Sequence, residues 1–489
     1  MNPTTPTRRL VRHSASYLAG QTLFFLSRVV FFCAFTRLFT PETYGYLNLI
    51  TSALLFLTVG ARLGQNDALL RFLPESERRG LAKQYVASAV IPTLAFGAIT
   101  VVVLGSFARA VASWLQISDD LRWALYFAIP IVGLRIGFDL TYAIQRSRER
   151  PDEAVALDAA RNWITLLASV ALVFAWRASL APFFLGQLGG ELVIFVICLW
   201  FLGRRFSLNP SRIEGSLLRE SMRYGLPLVV YHLAAVGLLY VDRYLVFAFF
   251  GARAVGHYSA GYNLAAMVQQ FITVPVALAV TPLYMNLWGR GEHESAQRFV
   301  QTTLRWFWLG VWPCVFGMVA VQSDLVVLLA TEKYLESSAV IGYILLGCVL
   351  HGGYPIYAAG LLVHKKTSTM CFWMIVALAI NVVANLILIP DFYIVGAAVA
   401  TMLSYLVLTA GLARASGRYM ALQFWPREAT IYLVGGFVMF AVVSSIPAFS
   451  PAVSLCVRLV AGVLIYAAWV LVADGELRHR FILLAKASR

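Results

Sequence analysis

The chain has 489 residues, of which 60% are hydrophobic and only 13% are charged, and its mean hydropathy is +0.75. A soluble domain is about 25% charged, so this composition excludes a soluble enzyme. The formal net charge of +15 would suggest nucleic acid as the partner of a soluble protein. In a membrane protein the same excess holds loops on the cytoplasmic side, and no nucleic-acid partner is expected.

Apolar runs long enough to cross a bilayer, which needs about 20 residues, follow one another along the chain. They predict an all-α polytopic membrane protein with about fourteen transmembrane helices. The predicted spans are 14–36, 43–60, 84–107, 123–144, 157–176, 180–202, 224–250, 256–287, 301–322, 338–363, 368–389, 394–413, 428–447 and 451–473. The connections are too short for a soluble catalytic domain. The function is therefore expected to lie between the helices, and no enzyme is expected.

The basic residues indicate the orientation of these spans. With the predicted layout, 28 of the 39 Lys and Arg residues fall on the side of the two termini and five on the other side. Cytoplasmic loops carry such an excess, so both termini are expected in the cytoplasm. The six cysteines form no CxxC pair, and no His approaches metal-ligand spacing, so no metal site is expected. No cofactor is expected either.

The most basic connection predicts a domain boundary. The expected parts are an N-terminal six-helix lobe, a cytoplasmic linker, a second six-helix lobe, and two extra helices with a cytoplasmic tail, at 1–202, 203–223, 224–413 and 414–489. The two lobes echo each other. Arg28 precedes a Gly-Tyr helix start at 41–49, and Arg243 precedes another at 251–264. Transporters are often built from such repeats.

Nine ionisable residues lie inside predicted spans, where a central charge costs about 2.5–3.5 kcal/mol. We therefore expect most of them to face a polar interior or one another. The nine are Arg28, Arg135, Asp139, Asp158, Arg161, Glu191, Asp242, Arg243 and Arg458.

Several of these charges have a structural alternative. Arg135 and Asp139 are four residues apart and could neutralise each other. Asp158 and Arg161, near the cytoplasmic end of their helix, could reach the interface, as could Arg458 at the head groups. Asp242 and Arg243 could form a pair that fixes the fold. Glu191 could be a proton carrier or a partner for Arg28, and the sequence leaves both readings open.

Polar residues at helical spacing form stripes that a lipid-facing helix would not need. Residues seven or eleven apart lie on nearly the same face of a helix, which predicts helices lining a wet cavity. The stripes contain Gln21 with Arg28, Tyr44 with Asn48, His232 with Arg243, and Tyr258 with Tyr262 and Gln269.

Several segments resemble the Wzx-type oligosaccharide-lipid flippases, polysaccharide exporters of the multidrug/oligosaccharidyl-lipid/polysaccharide (MOP) superfamily. YGLPLVVYHLAAVGLLYVDRYLV at 224–246 is similar to the G-L-P…D-R-Y helix of the family. GARAVGHYSAGYNLA at 251–265 resembles the turn and helix that follow it. The other matching segments are 41–49, 60–75 and 381–407. Asp242, Arg243, Gly256 and Tyr258 take the positions of motif residues.

The resemblance implies two six-helix lobes around a central cavity that opens alternately to the two sides of a bacterial inner membrane. It implies a polyprenyl-pyrophosphate-linked oligosaccharide, such as an O-antigen or exopolysaccharide repeat unit, as cargo. A polysaccharide polymerase and glycosyltransferases are the implied partners. No P-loop motif is present, so we expect coupling to a proton or sodium gradient instead of ATP.

Three sets of site residues follow. Arginine forks match phosphate oxygens, which predicts Arg28, Arg135 and Arg243 as ligands of the pyrophosphate. The predicted glycan contacts are Gln21, Tyr44, Asn48, His232, Tyr258, Tyr262 and Gln269. The predicted ion-coupling acids are Asp242, Glu191 and Asp139.

Two other functions stay open. A multidrug or small-cation antiporter of the same superfamily would share the architecture but would have an acidic cavity, whereas five arginines face four acids here. A membrane glycan polymerase or ligase would need catalytic Arg, His or acidic residues in a sizeable outer loop. The longest outer segments, 108–122 and 323–337, hold little such chemistry.

Overall fold

The computed structural model describes residues 6–115, 118–148, 151–206, 208–421, 426–447 and 450–479. These residues form helices joined by short turns, and no strand occurs among them. The helices are α1 (Pro6–Leu38), α2 (Pro41–Ala61), α3 (Gln65–Arg78), α4 (Ala82–Leu115), α5 (Asp119–Ser147), α6 (Pro151–Ala175), α7 (Leu180–Phe206), α8 (Gly215–Gly289), α9 (His293–Ala330), α10 (Ser338–Gly352), α11 (Tyr354–Tyr357), α12 (Ala359–Val363), α13 (Thr367–Ser416), α14 (Pro426–Ser444) and α15 (Pro451–Ala473), with 3₁₀ turns at Pro210–Arg212 and Glu332–Ser337.

Twelve helical segments of the described chain are long and apolar enough to cross a membrane. Two of them, in α8 and α13, are interrupted where Gly251 and Tyr393 leave the helical conformation. Each of these two therefore contains two of the spans predicted from hydropathy. The predicted all-α polytopic fold with about fourteen spans is confirmed. Both chain ends, 1–5 and 480–489, lie outside the described residues, so the cytoplasmic position of the termini stays a prediction.

The two interruptions fold their helices back on themselves. Gly251 has φ 77° and ψ −175°, a conformation open to glycine because it has no Cβ. The hydroxyl of Tyr258 lies 2.6 Å from the carboxylate of Asp242, sixteen residues earlier. Sixteen residues of straight helix would span about 24 Å. In α13, Gly396 packs against the backbone of Leu388 on the other side of Tyr393.

The helices form two compact units. The first unit comprises Met1–Phe39 and Tyr46–Gly237, and the second comprises Thr40–Gly45 and Leu238–Arg489. Both α2 and α8 therefore contribute residues to the two units. The lobe boundaries predicted from the sequence stay predictions.

In the first unit, small residues let α6 and α7 approach closely. Gly186 and Gly190 form a G-x-x-x-G pattern on α7, typical of helix contacts in membranes. A Cβ on Gly186 would lie 2.5 Å from the Cα of Ser169, and a Cβ on Gly190 would lie 2.8 Å from the Cα of Thr165. This contact brings the polar residues of α6 beside those of α7.

One helix of the first unit was not expected. Hydropathy predicts a connection between the second and third spans, but this segment contains the fourteen-residue helix α3. Its apolar face buries Leu69 and Leu73, whereas Arg71 and Arg78 are exposed. The hydroxyl of Tyr85 on α4 donates a 3.1 Å hydrogen bond to the carbonyl of Ala68. α3 is therefore amphipathic and anchored at its buried side.

In the second unit, α14 and α15 pack against α9. Tyr466 donates a 2.9 Å hydrogen bond to the carbonyl of Leu309, and the Trp469 indole donates a 3.0 Å bond to the carbonyl of Ile431. Arg458, for which a head-group position stayed open, instead lies 2.7 Å from the carboxylate of Asp324. The last two helices are thus bound to the unit by polar as well as apolar contacts.

Candidate functional site

Charged side chains from four parts of the chain meet inside the first unit. We call Arg62, Arg135, Asp139, Arg161 and Glu191 the first ion cluster. Arg62 follows α2, Arg135 and Asp139 lie on α5, Arg161 lies on α6 and Glu191 lies on α7. All the helical members lie within candidate membrane spans.

Glu191 is the centre of this cluster, and its side chain is only 1% exposed. Its carboxylate accepts a 2.9 Å hydrogen bond from Nε of Arg135. It also accepts bonds of 3.0 and 2.7 Å from Nε and Nη2 of Arg161. A buried carboxylate needs such charge-assisted bonds to offset its lost hydration. Of the alternatives for Glu191, the structure therefore gives a paired state, with Arg135 and Arg161 as its partners.

The other acid of the cluster is paired as well. Nη1 of Arg62 lies 3.3 Å from Oδ2 of Asp139. The local pair of Arg135 and Asp139 that the sequence left open is not a direct contact, since Arg135 binds Glu191 and Asp139 binds Arg62. Arg161, for which an interfacial position stayed open, instead binds Glu191 and lies 4.5 Å from the ring centroid of Phe138.

A second buried polar group lies in the second unit. We call Asp242, Arg243, Tyr258, Asn381, Asn385 and Thr401 the Asp242 cluster. They come from both arms of α8 and both arms of α13, which the breaks at Gly251 and Tyr393 fold together. Asp242, Asn381, Asn385 and Thr401 are 0% exposed, as is Tyr258, and Arg243 is 1% exposed.

Three donors surround the carboxylate of Asp242. Tyr258 donates a hydrogen bond of 2.6 Å and Thr401 one of 3.2 Å, both to Oδ2. The backbone N–H of Arg243 donates a 2.7 Å bond to Oδ1. The predicted motif residues Asp242 and Tyr258 are therefore direct neighbours. Their contact depends on the short connection at Gly251.

The guanidinium of Arg243 lies against the same carboxylate. Its Nη1 is 3.6 Å from Oδ1 of Asp242 and donates a 2.6 Å bond to the carbonyl of Leu239. The charge also lies 4.5 and 4.4 Å from the ring centroids of Tyr240 and Tyr262. Such cation–π contacts stabilise a desolvated cation.

Two amides extend the cluster along α13. Asn385 donates a 3.0 Å hydrogen bond to Oδ1 of Asn381, and Asn381 donates a 3.5 Å bond to Thr401. The Oδ1 atom of Asn385 is buried and accepts no hydrogen bond from the described residues. The cluster therefore offers carboxylate, hydroxyl and amide oxygens within one small volume of the membrane interior.

This arrangement can couple a charge change to a structural change. Asp242 neutralises Arg243, and a buried charge that loses its partner is strongly destabilised. Protonating Asp242 would remove that neutralisation. Replacing the contact between Asp242 and Arg243 by a contact between Asp242 and a bound cation would do the same. Because the donors come from both folded helices, such a change would alter their packing as well.

The other predicted site residues are distributed between the two units. In the second unit, Tyr44 is fully buried and accepts a 2.9 Å bond from Asn263, while Gln269 bonds Thr273 at 2.7 Å. In the first unit, His232 lies 2.9 Å from the carboxylate of Asp67.

The remaining predicted residues lie on the first two helices. On α1, Arg28 and Gln21 are partly exposed, and the Arg28 guanidinium lies 5.6 Å from the ring centroid of Phe24. Asn48 on α2 is also partly exposed.

Five members of the two clusters were not predicted as site residues: Arg62, Arg161, Asn381, Asn385 and Thr401. A signal for the amides was present, because two asparagines four residues apart lie on one face of an otherwise apolar helix. Arg62 gave no such signal, since it follows the last residue of α2 in a basic connection.

Comparison with known proteins gives a sequence match over more than half the chain. A family model described as "Polysaccharide biosynthesis protein" matches residues 10–288. The chain is also 21% identical over 441 residues to a Haloferax volcanii protein named "Probable low-salt glycan biosynthesis flippase Agl15". That alignment covers 88% of this chain and 89% of the relative.

Solved structures share the fold. The lipid II flippase MurJ in an inward closed conformation has a TM-score of 0.74 at 13% identity, covering 96% of this chain and 99% of that one. An inward-facing multidrug resistance MATE transporter of the MOP superfamily has a TM-score of 0.63 at 12% identity, covering 88% and 96%. A MOP superfamily transporter from Pyrococcus furiosus has a TM-score of 0.59 at 12% identity, covering 90% and 96%.

Proposed function

Because the chain belongs to the polysaccharide biosynthesis protein family, we propose that it transports a polyprenyl-pyrophosphate-linked oligosaccharide from the cytoplasmic to the outer leaflet of a membrane by alternating access. The observation that carries this proposal is the alignment with a relative named as a glycan biosynthesis flippase, which spans 88% of one chain and 89% of the other. Because the relative comes from an archaeon, the proposed location is the cytoplasmic membrane, without restriction to a bacterial inner membrane. We propose that both termini lie in the cytoplasm.

The chemistry of such a cargo fits the predicted binding residues. A pyrophosphate needs cations, and arginine forks match its oxygens. We assign this contact first to Arg28, which is partly exposed on α1. Arg135 and Arg243 are held by acids in this conformation, so their contact with cargo would require exchange of a carboxylate for a phosphate. Gln21 and Asn48, partly exposed on α1 and α2, are the proposed glycan contacts.

We propose Asp242 as the ion-coupling residue. Its carboxylate is fully buried and is the acid that neutralises Arg243. A proton would neutralise it directly, and a sodium ion would find the oxygen donors that hard cations prefer. Glu191 is a weaker candidate for this role, because it already binds two guanidinium groups. Asp139, which like Asp242 pairs with one guanidinium, is the second candidate.

Such a transporter acts between two classes of enzyme. Glycosyltransferases must assemble the lipid-linked oligosaccharide on the cytoplasmic face, and a polysaccharide polymerase or ligase must consume it on the outer face. We propose both classes as functional partners.

Flipping can be measured directly in vesicles that contain the purified protein and a fluorescent polyprenyl-diphospho-oligosaccharide. A membrane-impermeant quencher reports the fraction of label in each leaflet. We expect protein-dependent exchange between leaflets and acceleration by an imposed proton or sodium gradient. Asp242→Asn should abolish this acceleration. Asp119→Asn, a matched control at a residue whose side chain is 80% exposed, should retain it.

The same vesicles test the rival function. If the protein is a multidrug or small-cation antiporter, gradient-driven uptake of a fluorescent organic cation will occur while the labelled glycolipid stays in its leaflet. That result would overturn the proposal. Equal gradient acceleration in wild type and Asp242→Asn would remove the assignment of Asp242.

A further inference from the structure

A basic and aromatic pocket lies in the first unit, apart from both clusters. Its volume is about 610 Å³, within the range of small-molecule sites. The lining residues are Phe72 of α3 and five residues of the first turns of α8: Ser216, Arg219, Glu220, Arg223 and Tyr224. The five recur at helical spacing and therefore occupy one face of α8. The positive-inside distribution predicts that this face is cytoplasmic.

Two guanidinium groups in the pocket are available to a ligand. Arg219 and Arg223 are four residues apart, so they lie one above the other on the helix. Both are exposed, and neither has an ion pair or hydrogen bond within the described part of the chain. Since Glu220 is the one acid of the lining, the pocket carries a net positive charge.

Two aromatic rings form the other part of the pocket. Phe72 and Tyr224 meet edge to face, with ring centroids 5.3 Å apart. Tyr224 is 40% exposed, so its ring is open to solvent or to a bound molecule. An aromatic face combined with cations suits a ligand that has both an apolar sugar face and anionic oxygens.

The packing of α3 on α8 holds these groups in place. Gly64 and Gly225 approach backbone to backbone, with no space for a Cβ on either. The amide of Gln65 lies 3.5 Å from the sulfur of Met222, directly before Arg223. Two turns further along α8, His232 binds Asp67 of α3. The pocket is therefore built by helix packing and does not depend on mobile loops.

We propose that this pocket is a loading site that binds the diphosphate and first sugar of the lipid-linked oligosaccharide on the cytoplasmic face before transport. Arg219 and Arg223 bind the diphosphate, and Tyr224 and Phe72 contact the sugar ring. The inference rests on the proposed function for the identity of the cargo. An anionic phospholipid would use the arginines but would have no sugar for the aromatic pair.

Binding of the cargo head can be measured on the full-length protein in nanodiscs, with polyprenyl diphosphate, phosphatidylglycerol and inorganic pyrophosphate as separate probes. We expect Arg219→Gln/Arg223→Gln to bind polyprenyl diphosphate at least about tenfold more weakly than wild type, since each charge-assisted bond has an effect of this order. The control Arg78→Gln/Arg290→Gln removes two exposed charges outside the pocket and should bind as wild type does.

Three binding results would overturn the proposal. The first is an unchanged affinity of the double variant for polyprenyl diphosphate. The second is an equal loss of affinity for phosphatidylglycerol, which would identify a general phospholipid site. The third is failure of inorganic pyrophosphate to compete with polyprenyl diphosphate for wild type, where a diphosphate site predicts competition.

Flipping kinetics separate this inference from the proposed function. A loading site predicts that Arg219→Gln/Arg223→Gln raises the substrate density for half-maximal flipping and leaves the maximal rate near that of wild type. Tyr224→Leu should do the same for a glycosylated cargo while retaining affinity for polyprenyl diphosphate. If wild type and both variants flip the cargo with the same substrate density for half-maximal flipping, the loading site alone is refuted. Wild type that binds polyprenyl diphosphate through these arginines but never flips the polyprenyl-diphospho-oligosaccharide would refute the transport function alone.

Discussion

Gly186 on α7 packs against the backbone of Ser169 on α6, where a Cβ would lie 2.5 Å from the Ser169 Cα. The ion pair of Glu191 with Arg161 joins the same two helices, five residues after Gly186 on α7 and eight residues before Ser169 on α6. The hydroxyl of Ser169 also donates a 3.1 Å hydrogen bond to the carbonyl of Phe183 on α7. The backbone contact therefore holds close together the two helices that carry Arg161 and Glu191.

A bulky side chain at Gly186 should separate the two helices. We expect Gly186→Leu to destabilise the protein by roughly 1–3 kcal/mol or more, as overpacking does. The measurement is the thermal unfolding midpoint in detergent by intrinsic tryptophan fluorescence. Gly189→Leu is the matched control, since a Cβ at Gly189 meets no atom within 4 Å. Equal midpoints for the two variants would contradict the close packing at Gly186.

Removing the central acid of the first ion cluster should be more damaging than removing a surface acid. Glu191→Gln removes the buried carboxylate that both Arg135 and Arg161 bind directly, and breaking a buried ion pair typically costs about 3–5 kcal/mol. Glu153→Gln breaks a pair with Arg205 whose side chains are each 34% exposed, and such pairs contribute about 0–1 kcal/mol. Thermal unfolding and the yield of monodisperse protein should separate the variants. A small effect of Glu191→Gln, similar to that of Glu153→Gln, would argue against a structural requirement for the pair.

The hydroxyl of Tyr258 should affect ion coupling more than folding. Tyr258→Phe removes the 2.6 Å hydrogen bond to Asp242, and a bond to a charged group contributes about 1.5–3 kcal/mol. We expect the ion concentration that gives half-maximal stimulation of transport to differ about tenfold or more between Tyr258→Phe and wild type. Tyr343→Phe, at a tyrosine that is 42% exposed, is the control and should show no shift. An unchanged ion dependence in Tyr258→Phe would exclude this hydroxyl from coupling.

The end of α15 should make stability depend on pH. Burial disfavours the charged form of Asp474, but hydrogen bonds from Tyr432 and Arg305 outweigh this effect and lower its pKa. Tyr432 donates at 2.7 Å and Arg305 at 2.8 Å. A lowered pKa in the folded state stabilises the protein at all pH values above the unfolded-state pKa of about 3.9. That contribution is lost as the pH falls through the lowered value.

The unfolding midpoints of wild type and Asp474→Asn should therefore differ at neutral pH and converge below about pH 4. Asp119→Asn serves as the control, because the Asp119 side chain is 80% exposed and pairs with Arg122, three residues along the same helix. A difference between wild type and Asp474→Asn that grows as the pH falls would contradict the lowered pKa.

The spans and the family could be predicted from the sequence because both depend on residues that are close together along the chain. Hydropathy over about 20 residues is a local property. It therefore predicted two separate spans in α8 and two in α13, on either side of the breaks at Gly251 and Tyr393. The resemblance to polysaccharide exporters rested on ordered local motifs, and the match of the polysaccharide biosynthesis protein family over residues 10–288 confirms it. The spacing of Asp242 and Tyr258 around Gly251 likewise marked a site that the structure brings together.

The partners of the buried charges depended on tertiary structure. Sequence spacing favoured Arg135 with Asp139 and left Arg28 open for Glu191, whereas the folded chain joins Glu191 to Arg135 and Arg161, which are 56 and 30 residues away in sequence. In the membrane interior a charge binds the partner that the helix packing brings near it, because no water is available there to replace that partner. By itself, the sequence determined which residues are costly to bury. The close contacts of small residues and the two folded-back helices determined which of them neutralise one another.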